Sequence, residues 1–119
     1  MQYTLLFHGP NMPADHVPSA EEQAQMQRVW GEYMAALNAA GIVRGGQALM
    51  PAHTGSTVRL RDGKRHVQDG PMADSKESLG GFVVIDVPDL DVALDWAARS
   101  PSSLHGSTEV RPVWENPLA

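Results

Sequence analysis

The sequence predicts an α+β fold with the element order β-α-β-β-β-α-β, a ferredoxin-like sandwich in which both helices cover one face of an antiparallel sheet. Three observations support it. A β-rich alternating segment opens the chain, apolar residues recur twice at helical spacing, and Asp62-Gly63 divides the middle of the chain into two short strands. The length of 119 residues fits a single domain spanning positions 1–119.

The first helix has recognisable signals at both ends. Ser19 and Glu22 form a capping-box pattern, and Gly41 is typical of the position just after a helix. Between them, apolar residues at helical spacing are predicted to face the core. They are Met26, Val29, Trp30, Tyr33, Met34 and Leu37.

The second helix is predicted to begin after Asp89, which can cap it, and to end at Ser100-Pro101. Five of its residues are predicted to face inward: Leu90, Ala93, Leu94, Ala97 and Ala98.

The strands are predicted from alternation and turn chemistry. Asp62-Gly63 suits a two-residue type I′ turn, so the flanking segments 56–61 and 64–68 form a β-hairpin. Further strands are predicted over residues 2–8, 45–49, 81–87 and 108–113.

The segment Asp69-Gly70-Pro71 is predicted to end the second strand of the hairpin, because proline has no N–H to donate to a strand ladder. The Asp69 carboxylate can accept hydrogen bonds from the backbone of such a turn. One interpretation of Asp69 is therefore a side chain that locks the turn, and the other is a residue of a functional site.

Composition limits the classes of function. The chain has no cysteine, which excludes disulfides and thiolate chemistry, and it carries 9 Lys+Arg against 14 Asp+Glu for a net charge of −5. This balance disfavours direct nucleic-acid binding. The sequence shows neither a membrane-length apolar run nor a signal-peptide pattern, so we expect a cytoplasmic protein.

Neither a metal nor a cofactor is predicted. The five histidines lack the i, i+4 helical spacing and the HExxH frame of zinc sites. The pairs Gly45-Gly46 and Gly80-Gly81 border strands and lack the spacing of a nucleotide-binding loop.

Several segments together resemble the DGPF subgroup of YCII-related domains. They are Arg-Asp-Gly-Lys at 61–64, Asp-Gly-Pro-Met at 69–72, Ser-Lys-Glu at 75–77 and Leu-Gly-Gly-Phe-Val-Val-Ile-Asp-Val-Pro-Asp-Leu-Asp-Val-Ala-Leu-Asp-Trp-Ala at 79–97. The similarity covers nearly the whole chain. Met72 replaces the Phe of the family motif, and the loop 8–13 also departs from the family pattern.

The resemblance implies a homodimer in which two sheets pack face to face as a dimeric α+β barrel. It also implies a pocket near the Asp-Gly-Pro turn. Asp69 matches the family aspartate, and related proteins are suspected of pairing an aspartate with a histidine for acid–base chemistry. His8 is the histidine candidate because it ends the first predicted strand. The expected ligand-binding residues are Gly70, Pro71, Lys76, Glu77 and Arg111.

Three hypotheses about function remain open. The first is a small-molecule pocket with weak acid–base catalysis by Asp69 and His8. The second is a non-catalytic regulatory or protein-interaction module, because genes of the resembled family often lie beside those of extracytoplasmic-function sigma factors. The third is a structural dimer without a pocket. Whether the chain is an enzyme therefore stays open, since a fold does not fix a function.

Overall fold

The computed structural model describes residues 1–73 and 75–115. It follows the predicted order β-α-β-β-β-α-β except that four strands rather than three separate the first two helices and that one short helix precedes the last strand. The strands are β1 Gln2–Pro10, β2 Val43–Ala48, β3 Ser56–Arg61, β4 Lys64–Asp69, β5 Glu77–Asp86 and β6 Ser107–Pro112. The helices are α1 Ala20–Ala39, α2 Leu90–Ala98 and α3 Pro101–His105, and one 3-10 turn covers Ala52–Thr54.

Four strands form an antiparallel sheet in the order β2-β5-β1-β6, and β3 and β4 form a separate two-stranded ribbon. The first strand of the chain is therefore central in the sheet, between β5 and β6. We refer to residues 56–69 as the ribbon. The α+β prediction with antiparallel strands is confirmed.

The core lies between one face of the sheet and the helices. Because side chains alternate along a strand, every second residue of β1 points toward the helices. The buried apolar residues are Tyr3, Leu5, Phe7, Tyr33, Leu37, Val83, Ile85, Val87, Ala93 and Ala97. Phe7, Trp30 and Tyr33 pack edge to face with ring centroids 5.0–6.1 Å apart. This aromatic group joins α1 to the sheet.

Helix α1 begins as its sequence predicts. The Ser19 hydroxyl accepts a hydrogen bond from the Glu22 N–H at 3.1 Å, and Gly41 follows the helix with φ 71°. Tyr33 and Leu37 are buried, but the prediction that Met26 faces the core is wrong, because its side chain is 61% exposed. The N-terminal turns of α1 are exposed throughout, so apolar residues occur at helical spacing also in the part of the helix that does not contact the core.

Helix α2 is capped by Asp89, whose carboxylate accepts from the Val92 N–H at 3.0 Å. The prediction for its inward face is only partly correct. Ala93 and Ala97 are buried, whereas Leu90, Leu94 and Ala98 are exposed and Val92 and Trp96 are half-buried. The two alanines place the backbone of the helix against the sheet, and the larger leucines lie outside that narrow contact.

The segment Ser100-Pro101 ends α2 but also begins α3, which the sequence analysis did not predict. Proline at the first position of a helix is favourable, because its missing N–H would have no partner inside the helix.

The hairpin turn is confirmed. Asp62 has φ 53° and Gly63 has φ 74°, as a type I′ turn requires, and Arg61 pairs with Lys64 across it. The bounds of other strands differ from prediction. In particular β5 begins at Glu77 rather than at Gly81, because β1 continues to Pro10 and pairs with those extra residues.

The second face of the sheet, which we call the open face, is not covered by any element of residues 1–73 and 75–115. Leu6, Phe82 and Val84 form its apolar centre, and each is only half-buried. The described part of the chain is thin and wide, with extents of 48 × 45 × 19 Å. Its radius of gyration is 16.5 Å, whereas a compact chain of this length has about 13.5 Å.

Candidate functional site

An open groove of about 700 Å³ lies at the edge of the sheet where β1 ends and where β5 and β6 begin. It is lined by His8, Ser75, Lys76, Glu77, Ser107, Thr108 and Glu109. We call it the His8 groove. Its residues come from the N-terminal strand, from the segment before β5 and from the C-terminal strand, so folding brings together groups about 100 residues apart.

His8 is positioned by an irregularity in the sheet. It pairs with Ser107 on one side and with Leu79 on the other, and the register of β1 with β5 shifts between Phe7 and His8. Such β-bulges redirect side chains at the ends of strands. The imidazole is half-buried at this position.

Gly106 permits the close approach of α3 and β6 to His8. A Cβ atom on Gly106 would lie 2.3 Å from the His8 carbonyl oxygen and 3.0 Å from the Gly9 Cα. Both atoms belong to the backbone, so they have no side-chain freedom with which to relieve the clash. A residue other than glycine would therefore move Ser107 away from His8.

Asn11 fixes the segment that carries Ser75 and Lys76. Its backbone N–H donates to the Lys76 carbonyl at 2.9 Å, and its side-chain amide donates to the Ser75 carbonyl. The Ser78 hydroxyl donates to the Asn11 side-chain oxygen, and the Ser75 hydroxyl donates to the Glu77 carbonyl. The loop 8–13, which departs from the family pattern, therefore forms part of the groove wall.

The two carboxylates of the groove are each held by a neighbour. The Ser107 hydroxyl donates to the Glu77 carboxylate at 2.8 Å, and Arg111 Nε donates to the Glu109 carboxylate at 2.6 Å within an ion pair. These contacts limit the freedom of both carboxylates. Lys76 supplies a cation to the same groove.

This arrangement suits proton exchange with a polar ligand. Histidine is the side chain that most readily gains or loses a proton near neutral pH, and His8 lies beside hydroxyl groups and carboxylates that can bind a ligand's own hydroxyls. The groove is open to solvent on one side, which gives a ligand access.

The groove brings together three of the predicted site residues, His8, Lys76 and Glu77. Glu77 is the first residue of β5, four residues before the predicted start of that strand. Arg111 does not line the groove itself, but it forms an ion pair with Glu109, which does. Sequence reasoning missed the other four lining residues, which are Ser75, Ser107, Thr108 and Glu109. Three of them lie at the start of the last strand, and the predicted strand was the signal available for them. Only the pairing of β6 with β1 shows that this end of the strand lies beside His8.

The other predicted residues lie at the base of the ribbon and do not line the His8 groove. Asp69 ends β4 opposite Ser56 and is exposed. Gly70 is buried with φ 88°, and its N–H donates to the Gly55 carbonyl at 2.8 Å. The Pro71 carbonyl accepts from the Gln68 side chain at 3.0 Å.

The turn after β4 is held without the Asp69 side chain. The Thr57 hydroxyl donates to the Gly70 carbonyl at 3.0 Å, which adds to the bonds from Gly55 and Gln68. Within residues 1–73 and 75–115, no hydrogen bond joins the Asp69 carboxylate to another group. The geometry therefore gives no support to a turn-locking role for Asp69.

Across the two described ranges, no three metal-binding side chains lie close enough together to hold an ion. In the same part of the chain, no helix is long and apolar enough to cross a membrane.

The family model of the YCII-related domain matches residues 1–116. The chain belongs to the YCII-related family. A relative from Rhizobium meliloti (strain 1021), the uncharacterized protein R00369, is 45% identical over 69 residues. That match covers 55% of this chain and 54% of the relative, so the matched segment spans about half of the relative's length.

A solved structure with the same fold is the 5-chloro-2-hydroxyhydroquinone dehydrochlorinase of Burkholderia phenoliruptrix AC1100, in complex with 2,5-dihydroxybenzoquinone. Its TM-score to this chain is 0.53 at 13% identity, with 98% of this chain and 96% of that chain covered. At this identity the likeness establishes the fold of the YCII-related chain, which agrees with the ferredoxin-like prediction.

Proposed function

We propose that this YCII-related protein binds a small hydroxylated organic molecule in the His8 groove. The observation that carries the proposal is half-buried His8 in a groove lined by two anchored carboxylates and three hydroxyl groups. Carboxylates accept hydrogen bonds from ligand hydroxyls, and serine and threonine hydroxyls can donate or accept. The similarly folded dehydrochlorinase in complex with a dihydroxylated quinone supports this class of ligand.

The chemistry proposed for His8 is acid–base catalysis. The neutral imidazole takes a proton from a ligand hydroxyl, so that an O–H bond breaks, an N–H bond forms, and an oxyanion and an imidazolium result. The Lys76 ammonium lines the same groove and would stabilise the oxyanion. The proton then returns to the ligand or to a product. This step requires no metal or cofactor.

We further propose that the site extends to the Asp-Gly-Pro turn, with Asp69 as a second catalytic residue beside His8 and with Gly70, Pro71 and Arg111 as ligand contacts. The support is the short connection from Gly70 to Ser75, which joins the base of the ribbon to the groove wall. The proposal includes a cytoplasmic homodimer of the DGPF subgroup, in which two open faces meet. The half-buried apolar centre of the open face supports that pairing.

The test is a thermal-shift screen of phenols, hydroquinones and polyols with the wild type, His8→Gln and His66→Gln. His66 lies on the ribbon outside the groove, so His66→Gln controls for the loss of an imidazole. A ligand at about 100 times its Kd adds roughly 2.7 kcal/mol to the free energy of unfolding. For a chain of this size that raises Tm by several degrees.

We expect at least one compound to raise Tm of the wild type and of His66→Gln but not of His8→Gln. Asp69→Asn in the same screen tests the extended site, and an unchanged response would remove Asp69 from it. A shift of equal size in His8→Gln would contradict the proposal for the groove.

A second proposal is a regulatory role through a protein partner, a sigma factor in the context implied by the family. The observation that favours it is the exposed apolar surface of the ribbon, where Val58, Leu60 and Val67 are 55–67% exposed. Co-purification of the protein with a sigma factor encoded beside its gene tests this role. No retention at micromolar concentration would count against it.

A further inference from the structure

The two faces of the ribbon differ in composition. In an antiparallel pair of strands, directly opposed residues share a face and successive residues lie on opposite faces. The register therefore places Val58, Leu60 and Val67 on one face, which we call the apolar face. The other face, which we call the cationic face, is built from three opposed pairs of residues. They are Thr57 with Gln68, Arg59 with His66 and Arg61 with Lys64.

The cationic face contains neither a carboxylate nor an apolar side chain, and each of its side chains can donate a hydrogen bond. The two carboxylates of the ribbon lie elsewhere. Asp62 belongs to the turn beyond the last opposed pair, and Asp69 lies at the base on the apolar face, opposite Ser56. None of the ribbon's cations forms an ion pair with another residue of the part that the structure describes. The positive charge of the cationic face is therefore not neutralised by the described chain.

The charge of the ribbon is opposite to that of the rest of the chain. Four cations and two carboxylates give residues 56–69 a net charge of +2, so with a total of −5 the remainder carries −7. The ribbon does not join the four-stranded sheet, and all of β4 is exposed. Exposed charges more than about 8–10 Å apart are largely screened at physiological ionic strength. A partner that contacts the ribbon therefore meets its local positive charge, and the expectation drawn from the composition of the whole chain is reversed at this surface.

The composition of the cationic face indicates the class of partner. Interfaces between proteins have an apolar or aromatic centre, and this face has none. Sites for small molecules are concave, and no residue of this face lines the His8 groove. Arginine and lysine accompanied by uncharged hydrogen-bond donors are typical of contacts with the phosphates of a nucleic acid. A nucleic acid is therefore the partner that suits this face.

The ribbon fits duplex DNA better than other nucleic acids. Proteins bind single strands by stacking the bases on aromatic side chains, and the ribbon has no tyrosine, phenylalanine or tryptophan. The major groove of duplex RNA is too deep and narrow for side chains to enter. The major groove of DNA is about 12 Å wide and admits a two-stranded ribbon. Each strand of the ribbon has six residues, which span about 20 Å along such a groove.

We infer that the ribbon binds duplex DNA: its cationic face lies along the major groove, where Arg59, Arg61 and Lys64 neutralise phosphates. The Arg59 guanidinium donates to the Gln68 side chain at 2.9 Å, which holds it across the ribbon and leaves its other N–H groups for the DNA. Contacts to phosphates carry no sequence information, so the binding is independent of base sequence.

The inference goes beyond the proposed function, because no residue of the His8 groove takes part in it. It also uses the face of the ribbon opposite to the exposed apolar residues that favour a protein partner. A homodimer that packs the apolar face leaves the cationic face exposed to DNA.

The first test is the salt dependence of binding, measured by the fluorescence anisotropy of a labelled DNA duplex of about 20 base pairs. Three neutralised phosphates predict that the logarithm of the association constant falls with the logarithm of salt concentration with a slope of about −2.7. The titrations cover about 20–200 mM salt. No binding by the wild type at a protein concentration of about 100 µM in the lowest salt would overturn the inference.

The face that binds is identified by comparing Arg61→Gln with Arg65→Gln. Both arginines are exposed on the ribbon and both variants change the net charge equally, but the register places Arg65 on the apolar face. We expect Arg61→Gln to raise the Kd for DNA at least about fivefold in low salt and to reduce the salt slope by about 0.9. Arg65→Gln should change the Kd less than about twofold and leave the slope unaltered. Equal effects of the two variants would contradict the role of the cationic face, and equal Tm values would show that both variants are folded.

Competition distinguishes duplex DNA from other polyanions. Duplex RNA and single-stranded DNA of the same sequence should displace the labelled duplex several-fold less effectively than unlabelled duplex DNA. Equal competition by the three would overturn the assignment to duplex DNA, as would binding to vesicles containing phosphatidylserine without binding to DNA. His8→Gln should bind DNA as the wild type does. The thermal-shift screen therefore judges the His8 groove and the anisotropy assay judges the ribbon, and either can fail alone.

Discussion

The position of His8 depends on a residue that has no side chain. Gly106 approaches the His8 carbonyl so closely that any Cβ would overlap it, and this contact keeps Ser107 beside the imidazole. The requirement comes from tertiary packing, and it could not be predicted from local sequence.

At Tyr33, burial has a measurable electrostatic consequence. Desolvation raises the pKa of the Tyr33 phenol from 10.0 to about 12, although the nearby Arg99 guanidinium opposes the shift. The Tyr33 hydroxyl donates a hydrogen bond to the Trp96 carbonyl at 2.8 Å. Above pH 10 the unfolded chain releases this proton while the folded chain retains it, so the stability contributed by Tyr33 is lost between pH 10 and about 12.

We therefore expect Tm of the wild type to fall more steeply over pH 10–12 than Tm of Tyr33→Phe. Differential scanning calorimetry across this range measures the difference. At pH 8 the variant should be less stable by about 1 kcal/mol, because it loses one hydrogen bond. Parallel pH profiles for the two proteins would refute the role of Tyr33.

At the scale of elements, a group of hydroxyls joins α2, α3 and β6. The Ser100 hydroxyl donates to the Ala97 carbonyl at 2.9 Å and lies 2.9 Å from the Thr108 hydroxyl and 3.0 Å from the Ser102 hydroxyl. Ser100 is only 2% exposed and Ser102 7%, so these two hydroxyls have little access to bulk water. Thr108 also lines the His8 groove, so the same contacts connect the helices to the site.

Ser100→Ala should reduce the free energy of unfolding by about 1–3 kcal/mol, because it leaves buried hydroxyls with fewer partners. Chemical denaturation measures the change, and Ser56→Ala, at an exposed position of the ribbon, should change stability by less than about 0.5 kcal/mol. Equal stabilities of the two variants would show that the hydroxyl group is not structurally important.

The elements show what sequence could and could not predict. Asp62-Gly63, Ser19 and Asp89 act through their own neighbours in the chain, and their turn and caps are confirmed. The exposure of Leu90 and Leu94 depends on how closely α2 approaches the sheet, which periodicity does not specify. The site was partly predicted because His8 ends a recognisable strand. Its Ser107 wall was not, since it depends on the pairing of distant strands.

At the scale of the whole molecule, shape gives a test of the proposed homodimer. One copy has a radius of gyration of 16.5 Å because the ribbon is not packed against other elements. If two copies pack the ribbons inside one compact particle, twice the chain length gives about 18 Å. Small-angle scattering should therefore report a radius close to that of one copy at twice the mass of 12.9 kDa. A dimer radius above about 22 Å would indicate that the ribbons remain extended.

The strand order also constrains the timing of folding. Strand β1 is made first, yet both of its neighbours in the sheet, β5 and β6, come from the second half of the chain. During synthesis residues 11–76 must therefore be made before β1 meets Glu77, its first partner in β5. Such non-local pairing slows folding, because a long loop must close before the contacts stabilise it. Formation of the sheet, and with it the His8 groove, is thus a late event in the folding of each newly made chain.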